Sequence, residues 1–315
     1  FQRELAETES KLKHYEGQLK RVDKTHRSFS EKVAYAGKSV KEFGQSMSNV
    51  GKELSMKVTT PLVAVGGIAA KIGMDFKAGL SEVQAISGAT AEEVGKLEGK
   101  ARALGSSTKF SAKQVTEGFK YMALSGWDVK QSMDGIDGVL NLAAASGENL
   151  AVVSDILTDA ISAFGDQASD ATRYADVLAA TASNANTDVA RLGEAFKYVA
   201  PVAGALGYSL EHTAAALGLM ANAGVKGSAA GTALRGALTN LAKPTKEMQK
   251  AMKQLGINIK DSNGQMKPLD VLLRDLRGSF KKLTEDQKAN YAATLFGKEA
   301  MAGMLAILNA TEADF

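Results

Sequence analysis

Apolar residues return every three or four positions through residues 5–54, the spacing that aims one narrow stripe of an α-helix at a partner helix. One seam position is filled by Leu5, Leu12, Leu19, His26, Val33, Val40, Met47 and Leu54, the other by Thr8, Tyr15, Val22, Phe29, Ala36, Phe43 and Val50. Thirteen of these fifteen are apolar. A stripe this narrow is not buried by one helix alone, so the pattern predicts a coiled-coil stalk over residues 1–57 through which copies of the chain self-associate. The seam suits two, three or six chains. His26, polar on the seam, reads as a register or oligomer-number residue rather than a chemical one. Gly37, Gly44 and Gly51 recur every seven residues beside the seam. Each costs about 0.8–1 kcal/mol relative to Ala in a helix, which reads as close helix packing.

Beyond a short hinge at Thr59-Thr60-Pro61 the period stays helical, and residues 58–315 read as one multi-helix domain. Thr90-Ala-Glu-Glu93, Ser111-Ala-Lys-Gln114 and Thr284-Glu-Asp-Gln287 have capping-box spacing, so each opens a helix. Gly88, Gly105, Gly126, Gly147 and Gly165 lie near the ends of periodic stretches and read as left-handed closing residues. The stops predict helices of about 14–18 residues. Ile257-Asn-Ile-Lys260 and Gln265-Met-Lys-Pro268 flank Asp261-Ser-Asn-Gly264 and predict a small β-hairpin over 257–267. Helix resumes from Leu269 to Leu283.

The domain repeats itself. Glu117-Gly-Phe-Lys-Tyr-Met-Ala123 returns 77 residues on as Glu194-Ala-Phe-Lys-Tyr-Val-Ala200, and Leu157, Ala160, Ile161 and Phe164 return as Leu234, Ala237, Leu238 and Leu241. The pattern predicts an internal helical duplication over about 113–165 and 190–242, with Phe119 matching Phe196 and Tyr121 matching Tyr198 in the core.

Composition narrows the chemistry. There is no cysteine, which excludes disulfides, thiolate metal sites and Cys nucleophiles and suits a reducing cytosol. Aromatics are 6% of 315 residues, with 31 Gly, so the interior is aliphatic and small. The net charge of +3 is unevenly spread: residues 128–194 carry 3 basic and 11 acidic side chains, residues 243–288 carry 11 basic and 6 acidic. The basic stretch lacks aromatic interleaving or a nucleic-acid motif, and no sequence-specific nucleic-acid binding is expected. The apolar run from Pro61 to Ala70 is well short of the roughly 20 residues that span a bilayer. The chain opens without Met and reads as a fragment.

His14, His26 and His212 lack metal-ligand spacing, so no metal or cofactor is expected. His212 beside Glu211 reads as a solvated pair. Gly224-Val-Lys-Gly-Ser228 does not match a phosphate loop, because Lys226 precedes Gly227; it reads as a tight turn with Ser228 as N-cap. Asp155 and Asp159, four apart on one face, repel each other rather than form an acid/base pair. Trp127, the single tryptophan, reads as a plug between helices. No catalytic residue emerges.

Val58-Thr-Thr-Pro-Leu62, Ser87-Gly-Ala-Thr90, Phe110-Ser-Ala-Lys-Gln-Val115, Val139-Leu-Asn-Leu-Ala-Ala-Ala145, Leu192-Gly-Glu-Ala-Phe-Lys-Tyr198, Ala214-Ala-Ala-Leu-Gly-Leu-Met220, Gly227-Ser-Ala-Ala-Gly-Thr-Ala-Leu-Arg235 and Phe296-Gly-Lys-Glu-Ala300 occur in that order. From about Gly37 to Leu308 the chain resembles the core of tail tape-measure proteins of long-tailed bacteriophages and prophages. The resemblance implies a structural protein rather than an enzyme. It would be assembled in the bacterial cytoplasm with tail assembly chaperones, occupy the tail-tube lumen, set tail length, and bind tube and tail-tip or baseplate hub proteins. It would leave ahead of DNA, with host-membrane contact at ejection. Two readings from other classes stand beside it: a helical membrane-active or pore-forming protein, and a muralytic enzyme using one buried acid.

Overall fold

The computed structural model describes the backbone of residues 60–311 and the side chains of residues 71–311. The expected stalk over 1–57, with every seam residue from Leu5 to Leu54 and His26, lies outside the described residues. Ile72–Phe315 form one compact unit. The described residues hold thirteen α-helices, one 3-10 turn and no strand, so the chain is all-α.

The first helix, α1 (Thr60–Ser87), already contains Thr60 and Pro61. Where a hinge was expected a helix begins, and a proline in a first turn lacks only an N–H that has no helical acceptor. Then follow α2 (Ala91–Ser107), α3 (Ala112–Leu124), α4 (Val129–Ser146), α5 (Leu150–Phe164), α6 (Ala171–Asn184), α7 (Val189–Ala205), α8 (Leu210–Asn222) and α9 (Gly227–Ala242). Four shorter helices complete the unit: α10 (Lys246–Leu255), α11 (Leu269–Phe280), α12 (Glu285–Phe296) and α13 (Lys298–Asn309). All three predicted capping boxes form. The pattern passed over a fourth, in which Asp128 caps α4 and Gln131 answers it.

The helices alternate between two rows. α3 packs on α5, α5 on α7, and α7 on α9; in the second row α4 packs on α6 and α6 on α8. α1 joins the first row: Asp75 and Glu82 pair with Lys113 and Lys120 of α3, and a Cβ on Gly79 would stand 3.1 Å from the Thr116 methyl. Each antiparallel pair of helices is therefore one unit of a stack. Leu80, Phe119, Leu157, Phe196 and Leu234 fill one buried position in five successive first-row helices, at intervals of 39, 38, 39 and 38 residues. Ala101, Leu140, Leu178 and Leu217 do the same in the second row, at intervals of 39, 38 and 39. The repeating element is thus a helical hairpin of 38 or 39 residues, and the sequence offset of 77 spans two of them. Stacked hairpins bury their apolar faces on their neighbours, which makes one continuous core from local pieces.

Small side chains let the rows close. A Cβ on Gly231 of α9 would strike the Ala195 carbonyl of α7, and one on Gly193 of α7 would strike Ile156 of α5. Gly88, Gly126, Gly147 and Gly165 close helices at positive φ as expected. Gly105 differs: it sits inside α2, and a Cβ there would stand 2.6 Å from the Ala112 amide nitrogen. Its smallness serves close approach, not a turn. Trp127 is buried against Gly135, the interhelix plug that was expected.

The hairpin predicted over 257–267 is reduced to one antiparallel bridge, Lys260 with Met266. Its turn forms, with Gly264 at φ 80°, but the Asp261 side chain accepts from the Asn263 and Gln265 amides at 2.9 Å. Local side-chain acceptors compete with a ladder, and Pro268, which donates no amide hydrogen bond, ends it. α11 stops at Phe280 rather than Leu283.

Candidate interaction face

The rows that build the core also fix what the surface can do. On the outer side of the first row, neighbouring helices leave shallow clefts between them. One, about 380 Å³, lies between α5 and α7, with Ile156, Ala160 and Phe196 in its floor and Asp159, Ser162 and Lys197 on its rim. Another, about 340 Å³, lies between α1 and α3 and is crossed by the Asp75–Lys113 and Glu82–Lys120 pairs.

Ion pairs follow the stack. Lys100 meets Asp137 at 2.7 Å, Lys197 meets Asp155 at 3.1 Å, and Arg173 meets Glu211 at 2.7 Å, each joining one hairpin to the next. Pairs this exposed add at most about 1 kcal/mol each. The hydrogen bond to Glu82 holds the Lys120 ammonium above its ordinary range. Arg173 also meets Asp166, whose carboxylate accepts the Tyr174 hydroxyl at 2.8 Å. Burial, with that carboxylate second, pushes the Tyr174 phenol up.

The remaining residues singled out in the sequence separate. His212 does not pair with Glu211: Glu211 turns to Arg173, and His212 Nδ1 lies 3.4 Å from Asp270 Oδ1 at the start of α11. Two successive helical residues point about 100° apart, so adjacency in sequence does not make a pair. Ser228 is not the N-cap of α9; Lys226 occupies that place and Gly227 begins the helix. Gly227 adopts φ +58°, which brings the turn one residue earlier. Phe119 and Phe196 are buried, as expected, at 0% and 2% exposure. Their tyrosine companions are not: Tyr121 is half-buried and Tyr198 is 38% exposed. The tyrosines lie two residues beyond the phenylalanines, about 200° around the helix, and so leave the buried position. Tyr198 stacks under Arg235, 5.7 Å from the ring centroid.

Asp155 and Asp159 share a face of α5; of the two, Asp155 is the one within ion-pair distance of Lys197, which also meets Glu194 at 3.8 Å. Partial burial, followed by the neighbouring Asp155 charge, holds the Asp159 carboxyl above the usual carboxylate range. Among the described residues there is no cluster of three or more His, Asp or Glu able to hold a metal ion, and no helix is long and apolar enough to cross a membrane.

Stacked hairpins with small-residue junctions and an outer face lined by ion pairs define an all-α protein built by helical repetition. The chain belongs to the phage-related minor tail protein family, whose model matches residues 98–297. It is 43% identical to the tape measure protein of Pneumococcus phage Dp-1 over 90% of its own length, and 31% identical to the probable tape measure protein of Escherichia phage P2 over 82%. It spans 25% and 34% of those two proteins. No solved structure matches it.

Proposed function

We propose that this chain is the folded module of a tail-length ruler. In this reading the longer protein occupies the tail-tube lumen, and the module binds the tube and the tail-tip or baseplate hub. It is loaded with tail assembly chaperones in the host cytoplasm and is released ahead of DNA, reaching the host membrane at ejection. The stalk over 1–57 gathers several copies through Leu12, Leu19, Val33 and Val40. The observation that carries the reading is the 43% identity, over 90% of this chain, to a phage tape measure protein about four times as long. A ruler needs monotonous length; a module of stacked hairpins, caps and close glycine junctions is instead suited to a defined end. Most of the length of such a protein lies outside this module.

In-frame deletions in the long helical region outside residues 58–308 should shorten tails by about 1.5 Å per residue removed, the rise of an α-helix, and leave them infectious. Deletions that cut one helix from residues 72–308 should block assembly or delivery. Electron micrographs of the two sets decide it: core deletions that give shorter working tails, or outer deletions that leave length unchanged, defeat the reading.

A further inference from the structure

The duplication keeps surface residues that packing does not ask for. Between α3 and α7, at the offset of 77, the exposed Lys113, Gln114 and Leu124 return as Ala190, Arg191 and Pro201. Glu117, Lys120 and Tyr121 return unchanged as Glu194, Lys197 and Tyr198, although none of them is buried. The lysines have a structural task in both copies, since Lys120 meets Glu82 and Lys197 meets Asp155 on the preceding first-row helix. Glu117 and Tyr121, neighbours one turn apart on the helix surface, have no such task.

The second copy shows what its tyrosine holds. The Arg235 guanidinium of α9 lies 5.7 Å from the Tyr198 ring centroid, within cation–π range. In the first copy, 77 positions before Arg235, α5 carries Thr158. That residue is buried, and its hydroxyl donates to the Ser154 carbonyl at 2.8 Å. No cation lies over the Tyr121 ring among the described residues. Instead a cleft of about 480 Å³ opens beside it between α3 and α5, with Phe110, Ala143 and Leu150 in its lining. Glu117 and Glu148 line the same cleft, and neither carboxylate makes an ion pair or a hydrogen bond among the described residues. Lys109, the cation of this lining, is already engaged: its ammonium donates to the Ala144 carbonyl at 3.2 Å and lies 5.2 Å from the Phe110 ring centroid.

We propose that the cleft between α3 and α5 takes an arginine side chain of a partner protein. Its guanidinium meets the Glu117 and Glu148 carboxylates and lies against the Tyr121 ring, as Arg235 does at Tyr198 from within the chain. A planar guanidinium both stacks on a ring and offers carboxylates a fork of donors, which an ammonium does not. Its aliphatic stem suits the apolar lining. The arginine comes from another protein because the position that supplies it in the second copy is Thr158 in the first. The site rests on the chemistry of this cleft and not on the ruler reading, and either can fail alone.

The test uses the full chain with isotope-labelled tyrosine rings, whose magnetic resonance signals are assigned from Tyr121→Phe and Tyr198→Phe. It is titrated with three peptides, acetyl-Gly-Arg-Gly-amide and its lysine and glutamine counterparts, capped so that the central side chain carries any charge. The arginine peptide should shift the Tyr121 signal saturably and bind at least about tenfold more tightly than the glutamine peptide, with the lysine peptide between them. Glu117→Gln and Glu148→Gln together should remove that preference. The proposal is overturned if Tyr121 does not respond to the arginine peptide, if the glutamine peptide binds as well, or if the double variant keeps the preference. A Tyr121 shift that appears on concentrating the chain alone would assign the arginine to a second copy and overturn the separate partner.

Discussion

At the residue scale, the strongest determinants are the ring positions that the stack buries and the glycines that let helices touch. Phe196 meets Phe164 edge-on at a centroid distance of 6.2 Å and is sealed from water, so Phe196→Ala should destabilise the protein by about 3–5 kcal/mol. Tyr198→Ala, two residues away on the outer face, should change stability by no more than about 0.5 kcal/mol. Urea unfolding of both variants checks the pair, and equal losses would contradict the two-sided helix. Tyr208 is buried with its hydroxyl lacking any hydrogen-bond partner, and burial pushes its phenol up to about 12. Replacing an unpaired buried hydroxyl removes a desolvation cost, so Tyr208→Phe should leave stability unchanged or raise it.

Asp159 gives a pH prediction of the less familiar sign. Its folded carboxyl titrates above the ordinary value because burial and Asp155 disfavour the charged form. The folded state is therefore penalised as pH rises through the carboxylate range, and the penalty is absent where the group is protonated in both states. Asp159→Asn should melt higher than the parent at about pH 7, and the difference should vanish near about pH 3, below both carboxyl values. Scanning calorimetry at the two pH values tests this; a gain that persists at the lower pH would place its cause elsewhere.

At the scale of elements, the unit of construction is the hairpin of 38 or 39 residues. Ser111, Asn149 and Asp188 each cap a first-row helix through a side chain that accepts the amide three residues on, so a cut from one cap to the next removes one whole repeat. Deleting residues 111–148 should leave a shorter stack that still melts cooperatively, with helicity per residue near that of the parent. Deleting residues 111–127 alone should not, because α4 would then follow α2 with its apolar face turned to the wrong row. Circular dichroism melts of the two chains separate the outcomes. The 38-residue period was harder to see than the 77-residue one. Phe119 is followed one hairpin later by Leu157 and only two hairpins later by Phe196, so aromatic identity alternates while burial does not. Packing asks for volume at each position, not for a given side chain.

At the scale of the whole molecule, contacts between neighbouring hairpins carry the architecture of the described residues and leave the outer face exposed. That face was only partly legible. The charge imbalance between 128–194 and 243–288 is plain in the sequence, as is the acid pair on α5. The cleft between α5 and α7 is not, because it forms where Gly193 lets α7 approach Ile156 from another hairpin. The pairing of His212 with Asp270 was hidden for the same reason: the two residues are 58 positions apart and meet only where α11 crosses the end of the stack.

The sequence by itself determined the all-α class, the capped helix starts, the closing glycines, the buried phenylalanines and the family. All of these follow from local hydrogen-bond satisfaction or from apolar periodicity along one helix, which the chain carries within a few turns. The tertiary structure alone decided that the duplication is a stack of hairpins, that Gly105 serves contact, and that Tyr198 faces out. It also decided that the Asp261 turn stops short of strands. Those outcomes depend on which helix lies against which, and two helices from different hairpins reveal their fit only when their side chains meet.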